Sequence, residues 1–437
     1  MTADIFTPDF IDRSYWLTSA PVPKSASLPL PSEADILIVG AGLTGLTAGH
    51  DLALAGRSVL ILDANEPGEG ASARNAGMLG RNTKHSFLGL SKAMGQDVAI
   101  RYFRDLHRAF LSSIERIKAE NLDCDYQQQG RVVVAHTPEQ FAGLRAEYEA
   151  RAKHLNEAIT VLDKGVQSEV GSKEYAGGIY VHDNGAVHAG RYMQAFMARA
   201  KAAGAMIAGK TPVTAIKREG NGFRVVTSRG EIRARDVLLC TNGYSANLVP
   251  WISRRLIQIE SYIAATEKLP AEIIASVFPN NRTYIDSTRR PMSMRLSPDG
   301  TRILFGSRTG EPKNQPIRDT ARLIYGDIIA TFPQLRGYRL SHTWGGRCGV
   351  TWDHFPHVGQ HDGMHYALGY NFSGLAMAPI LGEILARQVQ GQPRDTDYQT
   401  RSFPGVLMPA RAFDAAATRR IIRYYGWRDH ASMRHSA

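Results

Sequence analysis

The segment Asp35-Ile-Leu-Ile-Val39 is an unbroken apolar run of strand length, and it leads directly into Gly40-Ala-Gly-Leu-Thr-Gly45. A strand apolar on both faces belongs inside a parallel sheet covered by helices. Leu46, Ala48, Leu52, Ala53 and Ala55 then recur at helical spacing up to Gly56, and Ser58-Val-Leu-Ile-Leu62 forms a second apolar strand ending at Asp63. The pattern predicts one β-α-β unit of about thirty residues. In its turn Gly40 permits a tight change of direction, Gly42 lets a pyrophosphate approach the backbone, and Gly45 lets helix and strand pack closely. The anion then lies at a helix amino terminus. Asp63 ends the second strand, where a carboxylate accepts hydrogen bonds from both hydroxyls of an adenosine ribose. Dinucleotide binding is the expected use, and a purely structural glycine turn is the competing one.

A chain of 437 residues exceeds one ordinary hydrophobic core, so two domains are expected. With 43% hydrophobic and 21% charged residues, disorder is a poor reading. The net charge of +11 forms no long run and comes with no nucleic-acid motif, so a solvated basic surface is expected and no nucleic-acid partner. Cys124, Cys240 and Cys348 lack C-x-x-C spacing, which supports neither a disulfide framework nor a thiolate zinc site. Met1 to Phe10 lacks a secretion signal, and no stretch is apolar for the about 20 residues that a membrane span needs. A cytoplasmic protein is expected. The basic tail Arg411 to His435 includes Arg419 to Trp427, which would suit an interfacial helix, but a helix docked on its own domain is preferred over membrane contact.

Prolines 21, 23, 29 and 31 mark residues 11 to 33 as an extended arm. Residues 86 to 155 read as mainly helical around the strand-like Gly130 to Ala135, and Arg191 to Ala203 as another helix. Val213 to Arg218 and Phe223 to Ser228, joined by Glu219-Gly-Asn-Gly222, read as a hairpin. Asp236 to Cys240, Met292 to Leu296 and Arg302 to Gly306 read as strands, and Leu375 to Val389 as an apolar helix after the Gly369-Tyr-Asn-Phe-Ser-Gly374 turn.

Glycines alone do not separate a nicotinamide from a flavin dinucleotide, because both present the same adenosine diphosphate. The next segment is more informative. Gly70-Ala-Ser-Ala-Arg-Asn-Ala-Gly77 offers small residues, amide donors and one guanidinium to a flat ring, or else forms a capped loop. With Ser14-Tyr-Trp16, Cys240-Thr-Asn-Gly-Tyr244, Ser261 to Glu267, Arg295-Leu-Ser-Pro-Asp-Gly300, Leu304-Phe-Gly306, Trp344-Gly-Gly346, Asp353-His-Phe-Pro356 and Gly369 to Gly374, it completes an ordered series spanning nearly the whole chain. In these motifs the chain resembles the flavin-dependent D-amino-acid oxidase superfamily, and within it the gamma-glutamylputrescine oxidase-like amine oxidases.

That resemblance implies an α/β fold: a Rossmann-like FAD-binding domain from 1–85, 156–250 and 340–437, interleaved with an antiparallel-sheet α+β substrate domain from 86–155 and 251–339. It implies that Gly40, Gly42, Leu43, Thr44 and Gly45 hold the diphosphate, Asp63 and Ala64 the ribose, and Val213 the adenine. Thr241, Asn242 and Gly243 lie near the pyrophosphate, and Ala71, Ser72, Arg74, Asn75, Ala76, Gly77, Met78 and Leu79 along the isoalloxazine. Trp344 borders the ring, while Gly369, Asn371, Phe372, Ser373, Gly374, Leu375 and Ala376 cover its C2 carbonyl region. A turn opening a helix there offers amide donors and a positive dipole end to the charge that builds on the ring.

The implied reaction takes a hydride from the carbon bearing an amine, yields an imine that water hydrolyses, and passes the electrons to oxygen; a quinone or carrier acceptor is one alternative, and a non-catalytic dinucleotide- or nucleic-acid-binding protein is the alternative of another class. The flavin carries the chemistry and no catalytic base is required. Tyr262, Arg295, Trp344 and Tyr370 are candidate pocket residues, with Arg295 set either to hold a substrate carboxylate bidentately or to form a structural ion pair. The departures from the family pattern are Ala73 and Ala76 in the flavin loop and Asn371-Phe372 before Ser373. Cys348 lies where sarcosine-oxidase relatives attach flavin covalently, but its spacing to Asp353 does not fit, so a buried thiol and non-covalent FAD are expected. His342, His354 and His357 have no metal-ligand spacing, and no metal is expected.

Overall fold

The computed structural model describes residues 4–23, 29–245, 248–288, 290–310, 315–392 and 396–406. The tail read as a docked or interfacial helix lies outside the described residues. Two large sheets organise the chain into a mixed α/β fold. The first has eight strands, with Glu33–Val39 at its centre between Gly230–Leu239 and Val59–Leu62, all parallel. Met206–Ala208 continues it on one side, and the hairpin Val213–Glu219 with Gly222–Thr227 on the other. Met364–Leu368 pairs in parallel with Gly230–Leu239, placing its carboxyl end beside those of the central strands.

Helices Leu43–Leu54 and Gly374–Val389 cover this sheet, and their apolar faces share a core with Ala189–Ala202. The two cross closely. A Cβ on Gly382 would lie 2.6 Å from the carbonyl oxygen of Thr44, so only glycine permits that approach. The crossing sets the start of one helix against the side of the other.

The second sheet has nine strands in the order Phe6–Ile11, Leu340–Thr351, Leu256–Thr266, Ile303–Ser307, Ser293–Leu296, Thr283–Asp286, Arg131–Ala135, Gly177–Val181 and Ile159–Leu162. Most of its pairs are antiparallel. A separate apolar core, including Phe278, Tyr284, Phe305, Ile324 and Phe332, packs on it.

Several segments sit apart from the group in which the sequence placed them. Phe6–Ile11, Ile159–Leu162, Gly177–Val181 and Leu340–Thr351, expected with the dinucleotide unit, are strands of the nine-stranded sheet. Conversely, Phe87–Met94 and Gln96–Ala119, expected in the substrate unit, bury Phe87, Leu90, Tyr102, Phe103 and Phe110 in the core under the eight-stranded sheet. Long-range pairing decides this: Leu340–Thr351 pairs antiparallel with Leu256–Thr266 from end to end, with one register shift between Ala265 and Thr266. The arm is not wholly extended either. It contains the helix Tyr15–Ser19, whose fully buried Trp16 donates its indole N–H to the Asn75 carbonyl at 2.7 Å.

Candidate active site

The glycine turn is built as its spacing predicts. Gly40 has φ +107°, and a Cβ there would lie 2.9 Å from the Cys240 carbonyl oxygen; one on Gly45 would lie 2.0 Å from the Gly40 oxygen. Neither position accepts a side chain without backbone movement. The Leu43–Leu54 helix starts on Gly42 with no side-chain cap, which leaves first-turn amides for an anion. Ser72 Oγ accepts from the Leu43 amide at 3.2 Å, and a Cβ on Gly42 would come within 3.1 Å of that oxygen. A narrow cradle remains between helix start and loop.

Asp63 closes the cradle. Its Oδ2 accepts from the Ala41 amide at 2.9 Å and its Oδ1 from the Asn65 amide at 3.0 Å. Burial raises its pKa above the ordinary 3.8, with the two amide bonds acting in the opposite sense. Each oxygen keeps a lone pair for a hydroxyl. Beside it Ala64 is exposed and Val213 half-buried.

Across the sheet end, Asn242 Oδ1 accepts from the Gly369 amide at 2.9 Å, and a Cβ on Gly243 would meet the backbone of Cys348 and Gly349 at 2.9 Å. Thr241 bonds Ser245 through its hydroxyl at 2.8 Å. Three distant segments converge here: 241–243, 348–349 and 369.

The Gly70 to Leu79 loop takes the capped form. Asn75 donates to the Ala71 and Ser72 carbonyls at 3.1 and 2.9 Å and accepts from the Gly77 amide at 2.8 Å. Arg74 donates to the Glu69 carbonyl at 2.6 Å and the Gly345 carbonyl at 3.0 Å, while Trp344 donates to the Arg74 carbonyl at 2.9 Å. These polar side chains shape the loop. Ala76 packs against the apolar group around Trp16 and Trp344, and Met78–Leu79 pairs with Gly185–Ala186. Beside the loop opens a cleft of about 200 Å³ lined by Glu69, Arg74, Tyr244, Glu260, Gly346 and Arg347.

In the turn after Met364–Leu368, Asn371 and Phe372 both have positive φ, +49° and +72°. Asn371 accepts from the Thr351 amide at 2.9 Å and donates to the Gly369 carbonyl at 2.6 Å, and Ser373 donates to the Asn82 carbonyl. Gly374 then begins a helix whose Leu375 and Ala376 are buried.

The four pocket candidates take different places. Arg295 is 1% exposed and holds neither a carboxylate nor a free position: it donates to the carbonyls of Leu296 and Gly77 at 2.9 Å and of Val187 at 2.7 Å. Burial pushes its pKa down to about 10. Tyr370 points into the core, its hydroxyl bonded to Thr44 Oγ1 and donating to the Ala367 carbonyl at 3.1 Å. Trp344 and Tyr262 are buried, the latter against Gly345. Local sequence does not show which side of a strand faces a cavity once both faces are covered.

Cys348 is half-buried, not buried as expected; desolvation pushes its thiol up to about 12, so it stays protonated near neutral pH. The three histidines separate: His342 bonds Ser341 and Thr18, His357 bonds Asp353, and the ring of His354 lies 6.0 Å from that of His85. Sequence reading passed over Lys84, Glu260 and Arg347. Glu260 and Arg347 pair at 2.7 Å across adjacent strands, a relation visible only once the register is known. Lys84 had a faint signal, as a cation a few residues beyond the loop.

Residues 35–388 match the family model described as FAD dependent oxidoreductase. The gamma-glutamylputrescine oxidoreductase of Escherichia coli is 28% identical over 409 residues, covering 91% of this chain and 93% of that one. A probable oxidoreductase of Haemophilus influenzae is 26% identical over 407 residues, covering 91% and 92%. Among solved structures, glycine oxidase from Geobacillus kaustophilus superposes with a TM-score of 0.69 at 21% identity, over 86% of this chain and all of that one. L-proline dehydrogenase from P. horikoshii gives 0.69 at 19%, over 84% and 96%. At these identities the solved structures establish a shared fold.

Proposed function

The chain belongs to the FAD-dependent oxidoreductase family, and on that premise we propose that it binds FAD non-covalently and oxidises the C–N bond of a primary or secondary amine or amino acid, with oxygen as the acceptor. When bound, the flavin supplies a two-electron acceptor: the substrate carbon gives up a hydride, the amine becomes an imine that water hydrolyses to a carbonyl compound, and oxygen leaves as hydrogen peroxide. The observation that carries this reading is the glycine cradle closed by Asp63, where backbone amides and one carboxylate lie as a diphosphate and a ribose require.

In this reading the amides of Gly42 and Thr44 face the diphosphate, with that of Leu43 held by Ser72, Asp63 receives the ribose hydroxyls, and Thr241 to Gly243 back the pyrophosphate. Residues Ala71 to Leu79 and Trp344 border the ring, and the amides opening the Gly374–Val389 helix face its C2 carbonyl region with the positive end of the helix. The eight-stranded sheet carries the cofactor and the nine-stranded sheet covers the substrate. The protonated Cys348 thiol supports non-covalent binding. Three unpaired cysteines support a reducing compartment such as the cytoplasm. The names of gamma-glutamylputrescine oxidoreductase and glycine oxidase support an amine or amino acid as donor.

Transfer to a quinone or carrier is the second reading. The test is to purify the protein, record its visible absorbance, and release the flavin with acid. Anaerobic bleaching by amines, followed by reoxidation with oxygen or with a quinone, separates the two acceptors. A colourless protein that takes up no FAD refutes both.

A further inference from the structure

A neutral amide can donate to a backbone carbonyl, so the hydrogen bonds of Arg295 do not by themselves call for a charge. Yet a charge is there. The side chain is 1% exposed, and a guanidinium so deeply buried carries a desolvation cost that a carboxylate partner normally offsets. Arg295 has no such partner among the described residues: Nε donates to the Leu296 carbonyl at 2.9 Å, and Nη1 to those of Gly77 and Val187 at 2.9 and 2.7 Å. Asp125, whose field reaches it, pairs with Arg191 at 3.3 Å, and Tyr15, whose field also reaches it, is a phenol that burial keeps neutral. A pKa near 10 leaves the group charged at neutral pH. A positive charge is thus enclosed by backbone oxygens and, 5.4 Å away, the Trp16 ring.

The charge lies against the loop assigned above to the flavin ring. Gly77 has φ +69°, and a Cβ built on it would fall 2.5 Å from Arg295 Nη1 and 2.4 Å from the Val187 oxygen. Glycine is what lets the guanidinium press on the backbone of that turn. The same nitrogen reaches the Ala76 carbonyl at 3.5 Å, so residues 76 and 77 both receive it. Ser293–Leu296, the strand that carries Arg295, belongs to the nine-stranded sheet, and it delivers the cation to the loop that follows the dinucleotide unit. Hydride transfer from the substrate carbon carries one proton and two electrons, so one negative charge arrives at the acceptor and the amine is left as an iminium, which sheds a proton to give the imine. A fixed cation in a water-excluded site favours the state in which that negative charge has arrived.

We propose that the buried charge of Arg295, set against the Ala76 and Gly77 backbone, favours reduced over oxidised flavin and so raises the reduction potential of the bound cofactor. This makes Arg295 a positioning residue, and it rests on the flavin reading. Three variants separate its charge from the shape of the loop: Arg295→Lys keeps the charge and loses the fork, Arg295→Gln keeps amide donors without the charge, and Arg295→Met loses both. Each flavin-loaded protein is equilibrated anaerobically with a reference dye at pH 7 to read its potential, and its melting temperature is taken by scanning fluorimetry. At an effective dielectric of about 20, opposite charges roughly 10 Å apart favour each other by about tenfold or more. Arg295→Gln and Arg295→Met are therefore expected to lose about tenfold of the preference for reduced flavin, which lowers a two-electron potential by about 30 mV. Arg295→Lys is expected to stay within about twofold of the wild type, or about 9 mV, although all three variants melt lower because each loses at least one bond to the loop. A wild-type potential in Arg295→Gln and Arg295→Met overturns the proposal, and so does a potential that falls as far in Arg295→Lys as in Arg295→Gln, since loop shape and not charge then sets it. Loss of flavin from all three variants overturns it as well. A wild-type protein that is colourless and takes up no FAD overturns the flavin reading itself.

Discussion

Replacing Arg295 with methionine keeps roughly the length of the side chain and removes every donor. The guanidinium is 1% exposed and bonds three backbone carbonyls, those of Gly77, Val187 and Leu296, between 2.7 and 2.9 Å. A pKa pushed down to about 10 still leaves it protonated at neutral pH, so all its donors are present. A hydrogen bond from a charged donor contributes about 1.5–3 kcal/mol. Two effects offset the loss: Gly77 keeps a second partner in the Val187 amide at 2.8 Å, and the variant no longer buries a cation lacking a carboxylate partner among the described residues. With the Gly77 bond discounted, the other two at the low end of that range set the net cost at about 3 kcal/mol. With an unfolding entropy of about 2 cal/mol/K per residue, that lowers the melting temperature of a unit this size by roughly 3–4 °C. Scanning fluorimetry of the flavin-loaded protein measures it, alongside KM for a carboxylated amine and its neutral counterpart. Both KM values are expected to move together, because Arg295 acts through the Gly77 loop. A melting point within about 1 °C of wild type, joined to a selective tenfold rise in KM for the carboxylated substrate, would refute this reasoning.

Gly45→Ala puts a Cβ 2.0 Å from the Gly40 oxygen, a backbone clash with no flexible side chain to yield, and is expected to give protein that retains no flavin on gel filtration. Asp63→Asn removes the ribose acceptor charge and is expected to weaken FAD binding by roughly tenfold or more, measured by quenching of flavin fluorescence. Because burial raises the pKa of Asp63, wild-type flavin release on acidification is expected to begin above the ordinary 3.8, and that acid limb disappears in Asp63→Asn. His188 and His342 are buried and pushed from 6.5 down to about 4 by desolvation, so the unfolded chain binds more protons between those values. Stability is full above about pH 6.5 and falls toward pH 4 by up to roughly 3 kcal/mol per histidine, read from urea midpoints across that range; a flat profile contradicts the neutral buried state.

The Gly40 to Asp63 unit was legible because every interaction that makes it is local: strand, turn and helix follow one another within a span that hydrophobic period and glycine spacing describe directly. The same holds for the hairpin at Val213–Glu219 and Gly222–Thr227 and for the apolar helix Gly374–Val389. Legibility ended at residues whose meaning depends on a distant partner. Arg295 looked like a binding group because an arginine beside a proposed ring has a use for its charge, yet the carbonyls that take its protons belong to residues 77 and 187. Tyr370 looked like a pocket aromatic, and only the close crossing of two helices shows its hydroxyl meeting Thr44 in the core.

Strand membership divides in the same way. Nothing within Phe6–Ile11 announces a parallel partner at Leu340–Thr351, more than three hundred residues away. The amino-acid order alone determined the elements and the dinucleotide turn, because propensity, period and glycine geometry act between near neighbours. The tertiary structure decided which strands share a sheet and which charges are already engaged, because those outcomes depend on burial and register set by contacts between distant parts of the chain.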